Sequence, residues 1–244
     1  MQGEINSLYH YCKFLTFIEK ILPNNQLKLG LLKFTNDPRE SKNIVFSKTT
    51  FYDGPFIKNE VLTDFVRDKC KVLCFSRNKS PYFGYEYSRM WALYGDNHKG
   101  ICLKINKEKF LDLNSKYLEP EKGFFQKIIY QELDINKTFF HPHYDITKEA
   151  TIGKEKYIKE FRNTYVDHLY FTKFKEWESE NEVRLVYFSN TDQDEYCSIK
   201  DCIEMVYLGC DFNKVYLPAI EKFLAREFVS TLSFQDVRLV PHAI

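Results

Sequence analysis

Short apolar runs separated by polar turns are the feature of this sequence that most constrains its fold. Runs of about four to eight residues of this kind are typical of buried strands. Helical spacing of apolar residues marks other segments, and helices come early whereas strands cluster later. This order favours an α+β fold, with mixed, mostly antiparallel sheets and flanking helices, over a doubly wound sheet.

The predicted elements follow from these patterns. A short strand or turn is expected at Leu8–Tyr11, and strands are expected at Leu27–Leu31, Lys71–Ser76, Gly100–Ile105, Phe125–Glu132, Glu182–Phe188, Ile203–Gly209 and Ser233–Leu239. Helices are expected at Phe14–Leu22, 58–69, Ser88–Tyr94, Thr147–Tyr170 and Val215–Glu227, with a turn at Phe34–Glu40 and no clear pattern over 41–57.

The length and composition predict one domain. The chain has 244 residues, 44% of them apolar, which suffices for a sizeable core. No linker, low-complexity tract or repeat divides it. We therefore expect a single domain over residues 1–244.

Charge and cysteine content limit the expected binding partners and cellular location. The net charge of +1 excludes a global basic field for nucleic acid but leaves room for a local patch. Seven cysteines without a Cys-x-x-Cys motif predict reduced thiols and a cytoplasmic location. No signal peptide and no span of about 18 uncharged apolar residues is found, so no membrane association is expected.

The stretch WESENEVRLVYF carries the strongest local signal for chemistry. In an extended chain Glu178, Glu180, Glu182 and Arg184 would share one face. The carboxylates of Glu180 and Glu182 would then lie roughly 6–7 Å apart along the strand. Such a pair could divide its roles, one acid binding a sugar hydroxyl and stabilising positive charge on the anomeric carbon, the other polarising an acceptor. A solvated strand face with Arg184 as counter-ion explains the same pattern.

Two aromatic groups are further candidates. His10, between Tyr9 and Tyr11, could donate a hydrogen bond to a ribose or a phosphate, or be half-buried and bonded to the backbone. Trp91 and Tyr94 are three residues apart and would share a helix face. They could form the wall of a pocket or belong to the core.

Other common sites lack their motifs. The run His141-Pro142-His143 has no second pair of ligands at a suitable spacing, so no metal is expected. Glycine-rich dinucleotide motifs, a phosphate-binding loop and Gly-x-Ser-x-Gly are absent from the sequence.

Several motifs occur in a characteristic order along the chain: LYHY, FTNDPRE, KVLCFSRN, MWALYGDNHKGICLKI, WESENEVRLVYF and VYLGCDFNKVYLPAIEKFL. Their order resembles a bacterial family called domain of unknown function 2971. Each is weak alone, but their shared order covers nearly the whole chain. Two positions depart from the family pattern: Cys12 replaces a threonine, and Arg39 replaces an aromatic residue.

That family is in turn similar to the ADP-ribosyltransferase superfamily, which implies an ADP-ribosyltransferase-like fold and NAD as substrate. By this resemblance His10, beside Tyr11, would hold an NAD ribose. Glu182 would bond the nicotinamide ribose and stabilise its positive charge, and Glu180 would face the acceptor, although which acid is catalytic rests on analogy. We further expect Tyr94 or Trp91 to stack on the nicotinamide and Arg39 to meet a phosphate.

The resemblance implies a toxin or phage-defence effector. Its acceptor would be nucleic acid (RNA or DNA) or protein, and an antitoxin or chaperone is a candidate partner. The alternative is a catalytically inactive module that binds a nucleotide or a protein. A nuclease that uses His10 and His98 is a third interpretation, without supporting spacing. A cleft shared by His10 and Glu182 would favour the enzyme over the module.

Overall fold

The structure, a computed structural model, describes residues 6–41, 47–48, 64–132, 142–189, 191–236 and 238–244. The strands of this part of the chain are β1 (Ser7–Cys12), β2 (Gln26–Leu31), β3 (Ser47–Lys48), β4 (Cys70–Ser76), β5 (Ile101–Asn106), β6 (Gly123–Lys127), β7 (Ile129–Gln131), β8 (His143–Tyr144), β9 (Thr172–Phe174), β10 (Glu182–Phe188), β11 (Glu195–Ser198), β12 (Ile203–Leu208), β13 (Val229–Gln235) and β14 (Arg238–Ala243).

The helices are short. α-Helical segments are Phe14–Thr16, Leu22–Asn24, Pro38–Ser41, Ser88–Leu93, Lys107–Leu113, Ile146–Ile152, Lys154–Thr164, Val166–Tyr170 and Leu217–Phe223. Phe17–Ile21 and Asp64–Asp68 are π-helical, and Leu32–Phe34, Ser115–Leu118, Lys175–Glu180, Lys214–Tyr216 and Arg226–Phe228 form 3₁₀ turns.

One mixed, mostly antiparallel sheet organises the described residues. Its order is β11-β2-β4-β1-β5-β12-β13-β14, and β10 joins β4 to β6. The β12–β13 pair is parallel, whereas the other pairs of this sheet are antiparallel. The predicted α+β class is therefore confirmed.

The strand β4 has an opening along one edge. Its whole length pairs with β10, from Glu182↔Ser76 to Phe188↔Cys70. On the other edge β2 pairs only near Val72, and β1 pairs only at Ser76. Within the described residues no strand covers the edge between these two positions, so backbone groups near Cys74 are free to meet side chains.

Three groups of buried side chains pack against the sheet. Alternation along β10 sends Val183 and Leu185 into the largest group and Val186 and Phe188 into a second, which also contains side chains of the helix Lys154–Thr164. The third group is mainly aromatic and contains Tyr9, Tyr11, Tyr85, Trp91 and Tyr207. The site described below lies where β1 and β4 separate.

Several predicted elements differ from the structure. The helix expected over Thr147–Tyr170 is three helices, because the chain breaks at Gly153, whose φ of 87° favours glycine, and again at Tyr165. The strand expected at Ser233–Leu239 is the turn of the β13–β14 hairpin with its flanks. Of the helix expected over 58–69, residues 64–69 are described, and Asp64–Asp68 of these is π-helical.

Candidate functional site

The stretch WESENEVRLVYF does not begin as a strand. Lys175–Glu180 forms a 3₁₀ turn, Asn181 adopts the left-handed conformation (φ 42°), and only then does β10 begin. Asparagine tolerates this conformation better than most residues. The backbone N–H of Arg77 donates to Asn181 O at 3.2 Å and Asn181 Nδ2 donates to Arg77 O at 2.8 Å, which fixes the bend.

The bend separates the three glutamates. The prediction that all of them share one strand face is wrong, because Glu178 and Glu180 precede the strand. Glu178 is partly exposed and pairs with Lys79 at 2.8 Å. Glu180 and Glu182 are only 2% and 3% exposed, and their carboxylates meet inside the protein.

A buried lysine explains how these two carboxylates can lie together. Lys173, the middle residue of β9, places its Nζ 2.8 Å from Glu180 Oε2 and 2.7 Å from Glu182 Oε2. Tyr94 donates its hydroxyl to the other oxygen of Glu180 at 3.0 Å. The repulsion expected between neighbouring acids is thereby replaced by attraction to a shared cation.

A buried arginine holds the same cluster from the other side. Arg184 is fully buried, and its Nε donates to Glu182 Oε1 at 2.7 Å. Its Nη1 and Nη2 donate to the two carboxylate oxygens of Glu40 at 2.7 and 3.3 Å. Nη1 also donates to the Tyr170 carbonyl at 3.1 Å. This fork geometry satisfies the guanidinium and fixes the direction of Glu182.

The environment keeps Glu182 ionised. Burial alone would favour its neutral form, but the positive charges of Arg184 and Lys173 outweigh burial and hold the pKa of Glu182 well below its usual value. Burial likewise opposes the charge of Lys173, but Glu182 and Glu40 raise the pKa of Lys173 well above its usual value. The cluster is a set of charges at neutral pH.

The charges of this cluster do not cancel. Glu40, Glu180 and Glu182 contribute three negative charges, whereas Lys173 and Arg184 contribute two positive charges, which leaves a net charge of −1. Glu182 Oε2 is buried and has no hydrogen bond of good geometry, although it is ion-paired with Lys173. A cationic group or a hydroxyl donor arriving at this carboxylate would be favoured.

A cavity of about 180 Å³ borders these carboxylates. Both glutamates of the bend, Lys173 and Arg184 line it together with residues of β1, β4, the segment 34–36 and the region of the helix Ser88–Leu93. The lining residues are Tyr9, His10, Tyr11, Phe34, Thr35, Asn36, Cys74, Phe75, Met90, Tyr94, Lys173, Glu180, Glu182 and Arg184. The sequence-predicted residues Glu182, Glu180, His10, Tyr11 and Tyr94 thus meet around one cavity.

His10 closes part of the opening between β1 and β4. Its Nδ1 lies 3.2 Å from the Cys74 carbonyl oxygen, which only accepts hydrogen bonds, so Nδ1 carries a proton. Burial lowers the pKa of His10 from its usual 6.5. The imidazole is therefore neutral at neutral pH, and its Nε2 is a hydrogen-bond acceptor.

Of the other candidate residues, some line the cavity and some do not. Tyr11 lines the cavity, but its hydroxyl donates to the Gly84 carbonyl at 2.6 Å. Trp91 is a core residue and does not line this cavity: it is 0% exposed, and its indole N–H donates to the Tyr85 carbonyl at 2.7 Å. Tyr94 directly follows the last helical residue, Leu93, packs against the same aromatic group as Trp91 and also lines the cavity. The side chain of Arg39 lies outside the described residues.

Two residues of the site have roles that the sequence did not reveal. Glu40 belongs to the helix that begins at Pro38 in FTNDPRE, a motif whose last residue has no role in the sequence-based prediction. Lys173 lies in a short strand with no distinctive pattern. A buried lysine becomes recognisable only when its carboxylate partners are known, since isolated lysine is almost never buried.

Metal ligation and membrane insertion find no support in the described part of the chain. Within the described ranges no group of three or more His, Cys, Asp or Glu side chains could hold a metal ion. His141 and the side chain of His143 lie outside those ranges. No helix of the described residues is long and apolar enough to cross a membrane.

Comparison with known proteins gives one similarity. Residues 90–185 match the model of a family described as "Protein of unknown function (DUF2971)". This match supports the predicted resemblance for the segment from Met90 to Leu185, which contains Tyr94, Lys173, Glu180 and Glu182. No curated protein and no solved structure matches the chain significantly.

Proposed function

We propose that the protein is an NAD-dependent ADP-ribosyltransferase, with the corresponding fold, that modifies a nucleic acid or a protein. The observation that carries the proposal is that His10, Glu180 and Glu182 line one cavity beside a buried cluster of net charge −1. The nicotinamide ring of NAD carries one positive charge. In a site with little water, the uncompensated negative charge of the cluster attracts this positively charged ring.

The proposed reaction breaks the bond between ribose C1′ and the nicotinamide nitrogen. The electron pair of that bond goes to the nicotinamide, which leaves as a neutral ring. Positive charge then develops over C1′ and the ribose ring oxygen. The acceptor forms a bond to C1′ and releases a proton, so that the products are the ADP-ribosylated acceptor, nicotinamide and a proton.

Each residue of the cavity has a role in this reaction. Ionised Glu182 accepts a ribose hydroxyl hydrogen bond and stabilises the positive charge at C1′. The acceptor nitrogen Nε2 of neutral His10 receives a second ribose hydroxyl. The ring of Tyr94 stacks on the nicotinamide. Glu180 faces the acceptor, and it exchanges its contact with Lys173 or Tyr94 for the incoming nucleophile.

The size of the cavity limits which part of NAD it holds. About 180 Å³ is less than the roughly 300–1,000 Å³ of pockets for drug-sized ligands. We assign it to the nicotinamide and its ribose. Phe34 and Thr35 also line a neighbouring cavity of about 340 Å³. The rest of the dinucleotide extends past these two residues.

The test uses NAD that is radiolabelled on its adenylate phosphate. Wild-type protein, Glu182→Gln and Glu178→Gln are each incubated with cellular protein, RNA and DNA in separate reactions, and label transfer and free nicotinamide are measured. Loss of one preorganised charge in a transition state costs about 10²–10³ in rate. We expect this loss for Glu182→Gln and little change for Glu178→Gln, whose side chain lies at the surface.

Folding of each variant is checked by circular dichroism, since Glu182 is buried. His10→Gln provides a second variant that keeps a donor for the Cys74 carbonyl. Full transfer by Glu182→Gln would make its assigned role wrong. Folded wild-type protein that neither transfers label nor releases nicotinamide would overturn the proposed activity. An active enzyme is also expected to slow growth when it is expressed, and Glu182→Gln is not.

A catalytically inactive nucleotide-binding module is the second candidate. The observation that favours it is that both carboxylate groups are already held by Lys173 and Arg184. The two functions differ in one result. The module binds NAD at the same cavity, weakened by His10→Gln, but releases no nicotinamide.

A further inference from the structure

A second cavity, of about 700 Å³, lies across β10 from the first. Val183 lines it, whereas the neighbouring residues Glu182 and Arg184 line the first cavity, of about 180 Å³, which is called the carboxylate cavity below. Successive side chains of a strand point to opposite faces, so the sheet separates the two cavities. Neither cavity includes a lining residue of the other.

The lining of the second cavity is positive. Its charged residues are Arg77, Lys107 and Lys127, and no acidic side chain of the described chain lines it. The cations come from three separate segments: Arg77 follows β4, Lys107 follows β5 and Lys127 ends β6. Three cations converge on this cavity although the protein as a whole has a net charge of only +1.

Within the residues that the structure describes, these cations lack anionic partners. Across the described ranges none of the three forms an ion pair with a carboxylate. Arg77 Nη2 donates to the neutral amide oxygen of Asn181 at 2.9 Å, and the buried Arg77 Nε has no hydrogen-bond acceptor. Arg77 and Lys107 are half-buried and Lys127 is exposed. The buried Nε–H of Arg77 therefore carries the cost, because its lost hydration is not replaced by an acceptor.

We propose that this cavity binds a phosphate-bearing ligand, whose oxygens accept hydrogen bonds from Arg77, Lys107 and Lys127. Arginine and lysine both bind phosphate, arginine through its planar fork and lysine as a point charge. The cavity has the size of a nucleotide site. Phe125, under the Lys107 ammonium at 5.9 Å, provides an aromatic face beside the phosphate position.

The phosphate can come from two sources with the same chemistry: a free nucleotide, or the backbone of a nucleic-acid strand. This cavity is separate from the site proposed above, and the inference stands without NAD chemistry.

Lys107 and Lys127 are the suitable residues for a test, since within the described residues their side chains form no hydrogen bond or ion pair. Arg77 is less suitable, because it also fixes Asn181 between the two buried glutamates.

The test measures binding of two probes, ADP and a single-stranded RNA of ten nucleotides. Wild-type protein is compared with the double variant Lys107→Gln/Lys127→Gln, and Lys109→Gln serves as control because it removes an exposed charge from the same helix. We expect the double variant to weaken one probe by about tenfold or more, equivalent to about 1.4 kcal/mol. Lys109→Gln is expected to leave the affinity within about twofold.

The probe that is weakened identifies the source. If ADP alone is weakened, the ligand is a nucleotide. If RNA is weakened, removing one lysine–phosphate interaction lowers the slope of log K against log salt by about 0.7, so the two lysines together lower it by about 1.4. Equal affinities of wild type and double variant for both probes, or no binding of either, would overturn the proposal. ADP bound in the carboxylate cavity does not interfere, because the double substitution leaves that cavity unchanged.

Discussion

Lys173→Met is the most informative perturbation of the carboxylate site. Methionine has a similar length but no charge, so the substitution leaves Glu40, Glu180 and Glu182 with Arg184 alone. The net charge of the cluster changes from −1 to −2. Removal of one partner of a buried ion pair costs about 3–5 kcal/mol. That is a large part of the roughly 5–15 kcal/mol that stabilises a domain.

The cost should depend on pH. In wild type the pKa of Glu182 lies below its usual 4.5, so its contribution to stability is present above pH 4.5 and is lost as the pH falls through the folded value. Without Lys173 a carboxyl group of the folded variant gains a raised pKa and holds a proton that the unfolded chain has released. The folded state then binds more protons than the unfolded state, and stability falls as pH rises above about 4.5.

Equilibrium unfolding in urea, followed by circular dichroism, measures this effect at pH 5 and at pH 8. For one proton the free energy lost by Lys173→Met should grow by up to about 1.4 kcal/mol per pH unit within the titration window. Lys175→Met is the control. Lys175 is an exposed neighbour paired with Glu132, and such surface pairs contribute little to stability. A loss for Lys173→Met below about 1 kcal/mol at both pH values would refute the charge-coupled cluster.

Two further predictions concern a close backbone contact and the protonation of His10. Gly209→Ala would place a Cβ 2.0 Å from the His98 carbonyl oxygen, so we expect it to lower the free energy of unfolding by about 1–3 kcal/mol in thermal unfolding. Gly30→Ala is the control, because its nearest atom would lie at 4.0 Å, and equal melting temperatures for the two variants would contradict the packing. Because burial lowers the pKa of His10, the unfolded chain binds a proton that the folded state resists, and wild type should lose stability as the pH falls below about 6.5, by up to about 1.4 kcal/mol per unit. Urea unfolding at pH 7.5 and 5.5 should show a smaller loss for His10→Gln, and identical pH slopes would mean that the imidazole titrates freely.

The sequence predicted the strands of this fold well where apolar runs were short and bounded. Lys71–Ser76 and Glu182–Phe188 correspond closely to β4 and β10, because each is a short, mainly apolar run bounded by polar turns. Long helices were predicted less well. Apolar spacing continues across Gly153, and periodicity does not show that the chain changes direction there.

The candidate site was predicted in part because some of its residues are close in sequence. Glu180 and Glu182 stand in one short motif, and His10 stands in a short aromatic strand. Lys173 and Glu40 reach the same cluster from other elements, and only tertiary packing brings them there. The position of Trp91 was equally beyond the sequence, since an indole at a helical position suits both a pocket wall and a core.

The arrangement of the two glutamates follows from one backbone conformation. Had the chain stayed extended through Asn181, Glu180 and Glu182 would project from one strand face as neighbouring like charges, which is unfavourable. The left-handed turn at Asn181 instead sends Glu180 from the end of a 3₁₀ turn and Glu182 from the start of β10, so that Lys173 fits between their oxygens. Arg77 stabilises that turn through Asn181, and its guanidinium also lines the second cavity. The positions of the buried carboxylates therefore depend on Arg77, a residue that also lines the second cavity.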